Sequence, residues 1–153
     1  MTVFERITEH LESEGCEYYE REDKGAVAFT CGSEELEDTL DCIIHVDEDS
    51  YVITVLFPFE CDMNCLNELA ILLAQINCGM WMGNFDIDFD DGQIAFRCFM
   101  SAMDALPSDE QIGTAIVSAV KNVEMNFDDI HAVATGMQTA HDAIYAGGSS
   151  LTQ

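Results

Sequence analysis

The sequence predicts an α+β fold: an antiparallel sheet of three hairpins with an N-terminal helix, a central buried helix and a long C-terminal helix. Three observations carry this reading. Alternating apolar residues recur in pairs of short runs around the turn-forming stretches Asp23-Lys24-Gly25, Asp47-Glu48-Asp49-Ser50 and Asp91-Gly92, which is the pattern of tight antiparallel hairpins. Two capping boxes, Thr2 to Glu5 and Ser108 to Gln111, each open an apolar stripe of helical period. The helical segments lie between the hairpins, so strands joined by short turns pair antiparallel and the helices segregate from them.

The first helix starts at the Thr2 box. Phe4, Ile7 and Leu11 form its apolar stripe, Glu5, Glu9 and Glu12 face water, and Gly15 stops it. Tyr18-Tyr19 and the run Ala26 to Cys31 make the first hairpin, and acidic Ser33 to Asp38 reads as a loop with at most one helical turn. Leu40 to Val46 and Tyr51 to Phe57 make the second hairpin. Ile43 and Val52 lend its second face some apolar character, so it is expected to be central and covered on both faces. Pro58 is expected to end that strand, with Asp62 or Asn64 capping a helix to Asn77. Leu66, Leu69, Leu73 and Ile76 form its stripe, while Ile71 and Leu72 extend the apolar surface around the axis, so burial on several sides is expected.

The Asp91-Gly92 turn defines the third hairpin. Phe85, Ile87 and Phe89 alternate with Asp86, Asp88 and Asp90 before it; Ile94, Phe96, Cys98 and Met100 continue the apolar face after it, with Phe99 an imperfect member of the polar side. Beyond the Ser108 box, Ile116, Val120, Val123, Phe127, Ile130, Ala134 and Met137 step by four and three, a seam of about three heptads. It covers the chain's own sheet or, at Val120, Val123, Phe127 and Ile130, offers a homodimer surface. Asn126 could restart the segment as a second helix. Gly136 is expected to close a single domain over residues 1–136. Residues 137–153 then form a C-terminal extension, with Ile144 and Tyr145 in a loose helix and Gly147-Gly148-Ser149-Ser150 a flexible tail.

The stretch from Ile76 to Arg97 also carries a family likeness. Ile76-Asn77, then Gly83-Asn84-Phe85, then Asp91-Gly92-Gln93-Ile94-Ala95-Phe96-Arg97 resembles the pattern of the YbjN family, bacterial proteins described as sensory transduction regulators. The resemblance extends loosely from the first helix to about Gly136. It implies a fold similar to type III secretion chaperones and a chaperone-like analogy, and it brings no catalytic residues.

Composition limits the partners. Thirty Asp and Glu stand against five Lys and Arg, a formal charge of −25, which opposes binding to nucleic acid phosphates or anionic membranes and favours a basic protein segment or cations. The same charge also keeps a protein soluble without further role. The 48% apolar content suffices for one core. The N-terminal residues lack a signal-peptide pattern, no apolar run spans a bilayer, and seven cysteines lack a disulfide spacing, so a cytoplasmic protein with free thiols is expected.

No motif announces catalysis. Asp86, Asp88 and Asp90 fail the calcium-loop test, because Asp91 and Arg97 stand where Gly and an acid are required. Spaced roughly 6–7 Å apart along a strand, they would serve a hydrolase only if they lined a concave pocket. Cys61 and Cys65 lack a matching second pair for zinc, even with Cys78 and Cys98 as distant ligands. Cys42 and His45, three apart on a strand, face opposite sides. No metal site, cofactor or catalytic residue is therefore assigned, and an enzyme is not expected. The informative segment is Met80-Trp81-Met82 between two glycines. Flexible thioethers beside the only Trp make an adaptable partner-binding surface. On the other reading, Trp81 closes the core where helix meets hairpin. The function expected is a non-enzymatic, chaperone-like protein-binding module. The alternative is a regulator that senses a small ligand or cation.

Overall fold

In the computed structural model, which describes residues 1–21, 23 and 25–146, six strands form one antiparallel sheet of order β1-β2-β3-β4-β6-β5. The elements are α1 (Val3–Ser13), β1 (Tyr18–Arg21), β2 (Ala26–Gly32), β3 (Thr39–Val46), β4 (Ser50–Glu60), a 3-10 turn (Met63–Cys65), α2 (Leu66–Cys78), β5 (Asn84–Ile87), β6 (Gln93–Ser101), α3 (Asp109–Ala134) and α4 (Ala140–Ala146). The α+β class, the three hairpins and both capping boxes follow the sequence reading.

The register explains why the helices share one side. Phe29, Cys42, Val55 and Phe96 form one cross-strand row, and Val27, Ile44, Ile53 and Cys98 the next. These rows, with Leu40, Tyr51, Phe57, Phe85 and Ile94, join the helices' apolar faces in a single core. The opposite rows hold Ala28, Ile43, Thr54 and Arg97, then His45, Val52 and Phe99. Ile43, Val52 and Leu56 stay half-exposed outside the core, so the second hairpin is covered on one face and not on both. Small Ala28 and Thr54 and the charged Arg97 interrupt the apolar pattern there. That face presents no continuous stripe for a helix to cover.

Pro58 does not end its strand. β4 runs through it to Glu60, while its pairing with β3 stops at Leu56 and its register with β6 shifts before Glu60. At a bulge beside an unpaired edge, a missing amide donor costs no ladder bond. α2 starts at Leu66, after the 3-10 turn, and buries Leu66, Leu69, Leu72, Leu73 and Ile76 while packing beside β5, α3 and α4; Ile71 remains 53% exposed.

Residues 109–134 are one helix. Asn126 donates its side-chain amide to the Asn122 carbonyl (2.9 Å) rather than capping a new helix. The heptad-like seam serves this chain's own core: Val123 and Ile130 are fully buried, Val120 nearly so, and Phe127 stacks on Phe57 (5.9 Å) and meets Phe59 edge-on (5.3 Å). Gly136 ends α3 without ending the packing. α4 docks on α2 through Ala140 and Ala143, and the Ala140 amide donates to Glu68 (2.8 Å). The expected tail at 147–150 lies outside the described residues.

Candidate functional site

The surface around Met80, Trp81 and Met82 is built by two backbone constraints. Gly79 caps α2, and the Met80 amide donates to the Asn77 carbonyl (3.1 Å). At the other end Gly83 has φ +78°, and a Cβ there would sit 2.5 Å from the Phe96 ring and 2.7 Å from the Arg97 carbonyl. Only glycine allows the chain to turn so close to β6. Of the three residues between, the last two are thereby held out from the body. Met80 is half-buried against the core, Met82 is 57% exposed and Trp81 is 100% exposed. Trp81 does not close the core. An indole without burial in its own chain is unusual, since Trp is among the most buried residues on average.

Asn77 fixes the frame behind this turn. Its Nδ2 donates to the Phe85 carbonyl (2.9 Å), and its Oδ1 accepts from the Phe85 amide (2.8 Å). Those Phe85 groups face outward, because Asp88 and Gln93 form the hydrogen-bonded pair at the end of this ladder and alternation turns Phe85 away from β6. The side chain of Asn77 thus covers the outer edge of β5 where a further strand would pair.

Next to Met82 a groove of about 680 Å³ opens between β6 and α3, with Phe96, Cys98 and Met100 on the sheet side and Thr114, Ala115 and Ser118 among the residues opposite. Burial raises the Cys98 thiol pKa, so the group stays protonated and adds to the apolar lining. Glu110 and Gln111 stand at the groove, and among the described residues no Lys or Arg lines it. The sequence signal for this groove is thin. Phe99, which breaks the alternation of its strand and is 64% exposed, lies on the opposite face of the sheet and does not mark it.

The carboxylates do not converge. Asp86 pairs with Arg97, Asp88 accepts from the Asp90 amide (2.8 Å) and Asp91 from the Gln93 amide (2.8 Å). β5 ends at Ile87, so Asp88, Phe89 and Asp90 belong to the turn rather than to an alternating strand. Their chemistry is that of turn formation. Among the described residues no group of three or more His, Cys, Asp or Glu side chains is arranged to hold a metal. Cys61 is buried, its thiol donating to the Asp62 carbonyl (3.3 Å) and pushed up to about 11 by burial and by Cys65 and Asp62 nearby.

On the far side of α3 a cavity of about 800 Å³ lies against α1 and β2, with Leu11, Phe29 and Ile116 in its walls and Cys16 and Cys31 exposed to it. At its rim Asp109 accepts from Arg6 (2.7 Å) and contacts His10 Nδ1 (2.9 Å). The Arg6 and His10 hydrogen bonds hold the Asp109 carboxyl below its usual range.

Among the described residues no helix is long and apolar enough to cross a membrane. The fold is similar to that of a solved structure, the "Crystal structure of YbjN, a putative transcription regulator from E. coli", at TM-score 0.62 and 16% identity over 88% of this chain and 96% of that one. No match was found among curated proteins. Residues 4–132 match the YbjN family model, "Putative bacterial sensory transduction regulator". From α1 to the last turns of α3, then, this chain is a member of the YbjN family.

Proposed function

We propose that this chain is a non-enzymatic, cytoplasmic regulatory module that binds a protein partner through Met80, Trp81 and Met82, in a chaperone-like manner. The observation that carries the reading is Trp81, wholly in solvent between the helix cap at Gly79 and the left-handed Gly83, and beside an apolar groove. Large aromatics and Met are enriched where proteins meet, and a rigid indole supplies contact area at small entropic cost. The charge of −25 directs the choice of partner toward a basic segment. The description of the family as regulatory agrees with a binding role.

The test is capture of partners by tagged protein from its native cytosol under reducing conditions, washed at low and then high salt. A protein retained by wild type and lost by Trp81→Ala, with the variant folded, supports the reading. Equal retention by both removes Trp81 from it.

The cavity against α1 favours a second reading, a small-ligand sensor, because its volume falls in the range that buries a small organic molecule. Thermal-shift screening of apolar acids and amines would test it. A ligand that loses its effect on Ile116→Trp supports that reading, and silence across the panel ends it.

A further inference from the structure

Resting on the protein-binding reading, we infer that the partner segment binds as an added β-strand along the free edge of β6 at Phe99 and Ser101, and that this segment is basic with alternating apolar residues.

The register defines the edge. The Ala102 amide donates to the Asp49 carbonyl, so in the β4–β6 ladder Met100 and Cys98 are the hydrogen-bonded partners of Tyr51 and Ile53. The amides and carbonyls of Phe99 and Ser101 therefore point the other way, toward the line of β5. That line is vacant here: β5 begins at Asn84 opposite Arg97, and Gly83 turns the chain away before it reaches Phe99. Among the described residues no backbone group meets Phe99 or Ser101 on this side.

Two other stretches of the sheet margin are less receptive to an added strand. Asn77 occupies the Phe85 edge of β5 with both of its side-chain groups. Where β4 loses its pairing with β3, Pro58 has no amide to offer. An exposed strand edge recruits an extended chain by main-chain bonds, with alternate side chains falling into whatever lies on each face. Here one set falls into the groove lined by Met82, Cys98, Met100 and Ala115. The other set lies on the open face beside Phe99. Apolar groups suit the first. Cations suit the second, over the Phe99 ring, and the overall charge of −25 favours them. A second copy would bring a like charge of −25 to the same edge, which opposes pairing between copies.

The probe is the peptide acetyl-Lys-Val-Lys-Val-Lys-Val-Lys-amide, titrated by calorimetry into the full chain at low salt. Two comparisons use the same peptide N-methylated at alternate residues in each of the two phases, which blocks main-chain bonding on one edge or the other. A Glu-for-Lys version tests the charge. The protein variants are Phe99→Ala, which keeps the outward amide, and Phe99→Pro, which removes it. Binding that falls at least tenfold for one N-methyl phase and for Phe99→Pro, and less for Phe99→Ala, is the expected result. Should Phe99→Pro fail to fold, the N-methyl comparison decides alone. Equal affinity of both N-methyl peptides, stronger binding of the Glu version, or no binding of the unmodified peptide overturns the strand-addition proposal. A partner still captured in a Trp81-dependent way would then leave the protein-binding reading standing. Concentration-dependent dimerisation in sedimentation, abolished by Phe99→Pro, would assign the edge to a second copy and overturn the basic-peptide occupant.

Discussion

Replacing Asn77 by Ala removes the clamp that joins the end of α2 to β5. Two hydrogen bonds to the Phe85 backbone disappear, and Phe85 is only 2% exposed, so water does not readily replace them. Leaving the amide unsatisfied costs about 1–3 kcal/mol. The carbonyl keeps a long contact from Asn84 Nδ2 (3.4 Å), so its share is smaller, about 0.5–1.5 kcal/mol. The sum is roughly 1.5–4.5 kcal/mol, a fall in Tm on the order of 3–18 °C for a chain of this size. Urea unfolding followed by circular dichroism measures it, with Asn77→Asp as the companion. The Asp variant retains an acceptor for the amide but lacks a donor for the carbonyl, and its loss should be intermediate. If Asn77→Ala changes stability by less than about 0.5 kcal/mol, the range of an ordinary surface substitution, the clamp does not hold β5 and the explanation of the turn before it fails.

Three further outcomes follow from the packing and electrostatics. Ile130→Ala should cost about 2–4 kcal/mol by opening a core cavity, with a Tm independent of protein concentration, because Ile130 is buried within one chain; a concentration-dependent Tm would return the seam to an interface between copies. Gly92→Ala should cost at least about 1 kcal/mol for a left-handed backbone, and more because its Cβ would lie 2.5 Å from the Cys61 carbonyl at φ +79°; an unchanged unfolding midpoint would refute the close approach. Asp109 has its pKa lowered by hydrogen bonds from Arg6 and His10. Its folded-state value lies below the unfolded one, so its contribution is present above the unfolded value of 3.8 and is lost as pH falls through the folded value. Asp109→Asn should therefore melt earlier than wild type at pH 7 and together with it at strongly acid pH, and a gap that persists in acid would contradict the ion pair.

The elements with clear local signals were legible in the sequence. Thr2 and Ser108 mark their helix starts because a capping box depends on residues three apart. Asp91-Gly92 marks its turn because the positive φ at Gly92 is a local demand. What depends on distant pairing was not. Pro58 reads as a strand end unless one knows that the pairing with β3 has already stopped at Leu56. Asn126 reads as a cap unless Phe127 is seen held between Phe57 and Phe59. The second face of β3 and β4 reads as covered because Ile43 and Val52 are apolar, and only their cross-strand neighbours show a broken pattern.

At the site, Met80-Trp81-Met82 stood out by composition, but the exposure of Trp81 was beyond the sequence, since the same residues fit a core plug equally well. The groove and the free β6 edge are products of sheet order. Placing β6 beside β4 and a short β5 outside it leaves the outer side of Phe99 without a strand partner. Asn77 shows how a single polar side chain at a helix end can settle the geometry of a strand eight residues later.

The emission of Trp81, the sole tryptophan, tests the central claim most directly when recorded with and without the captured partner. For the free protein the account predicts the red-shifted emission of a hydrated indole, fully open to acrylamide quenching. With partner added it predicts a blue shift and protection from the quencher. A blue, protected emission from the free protein would place the indole in the core, and an emission unchanged by the partner would remove Trp81 from the interface.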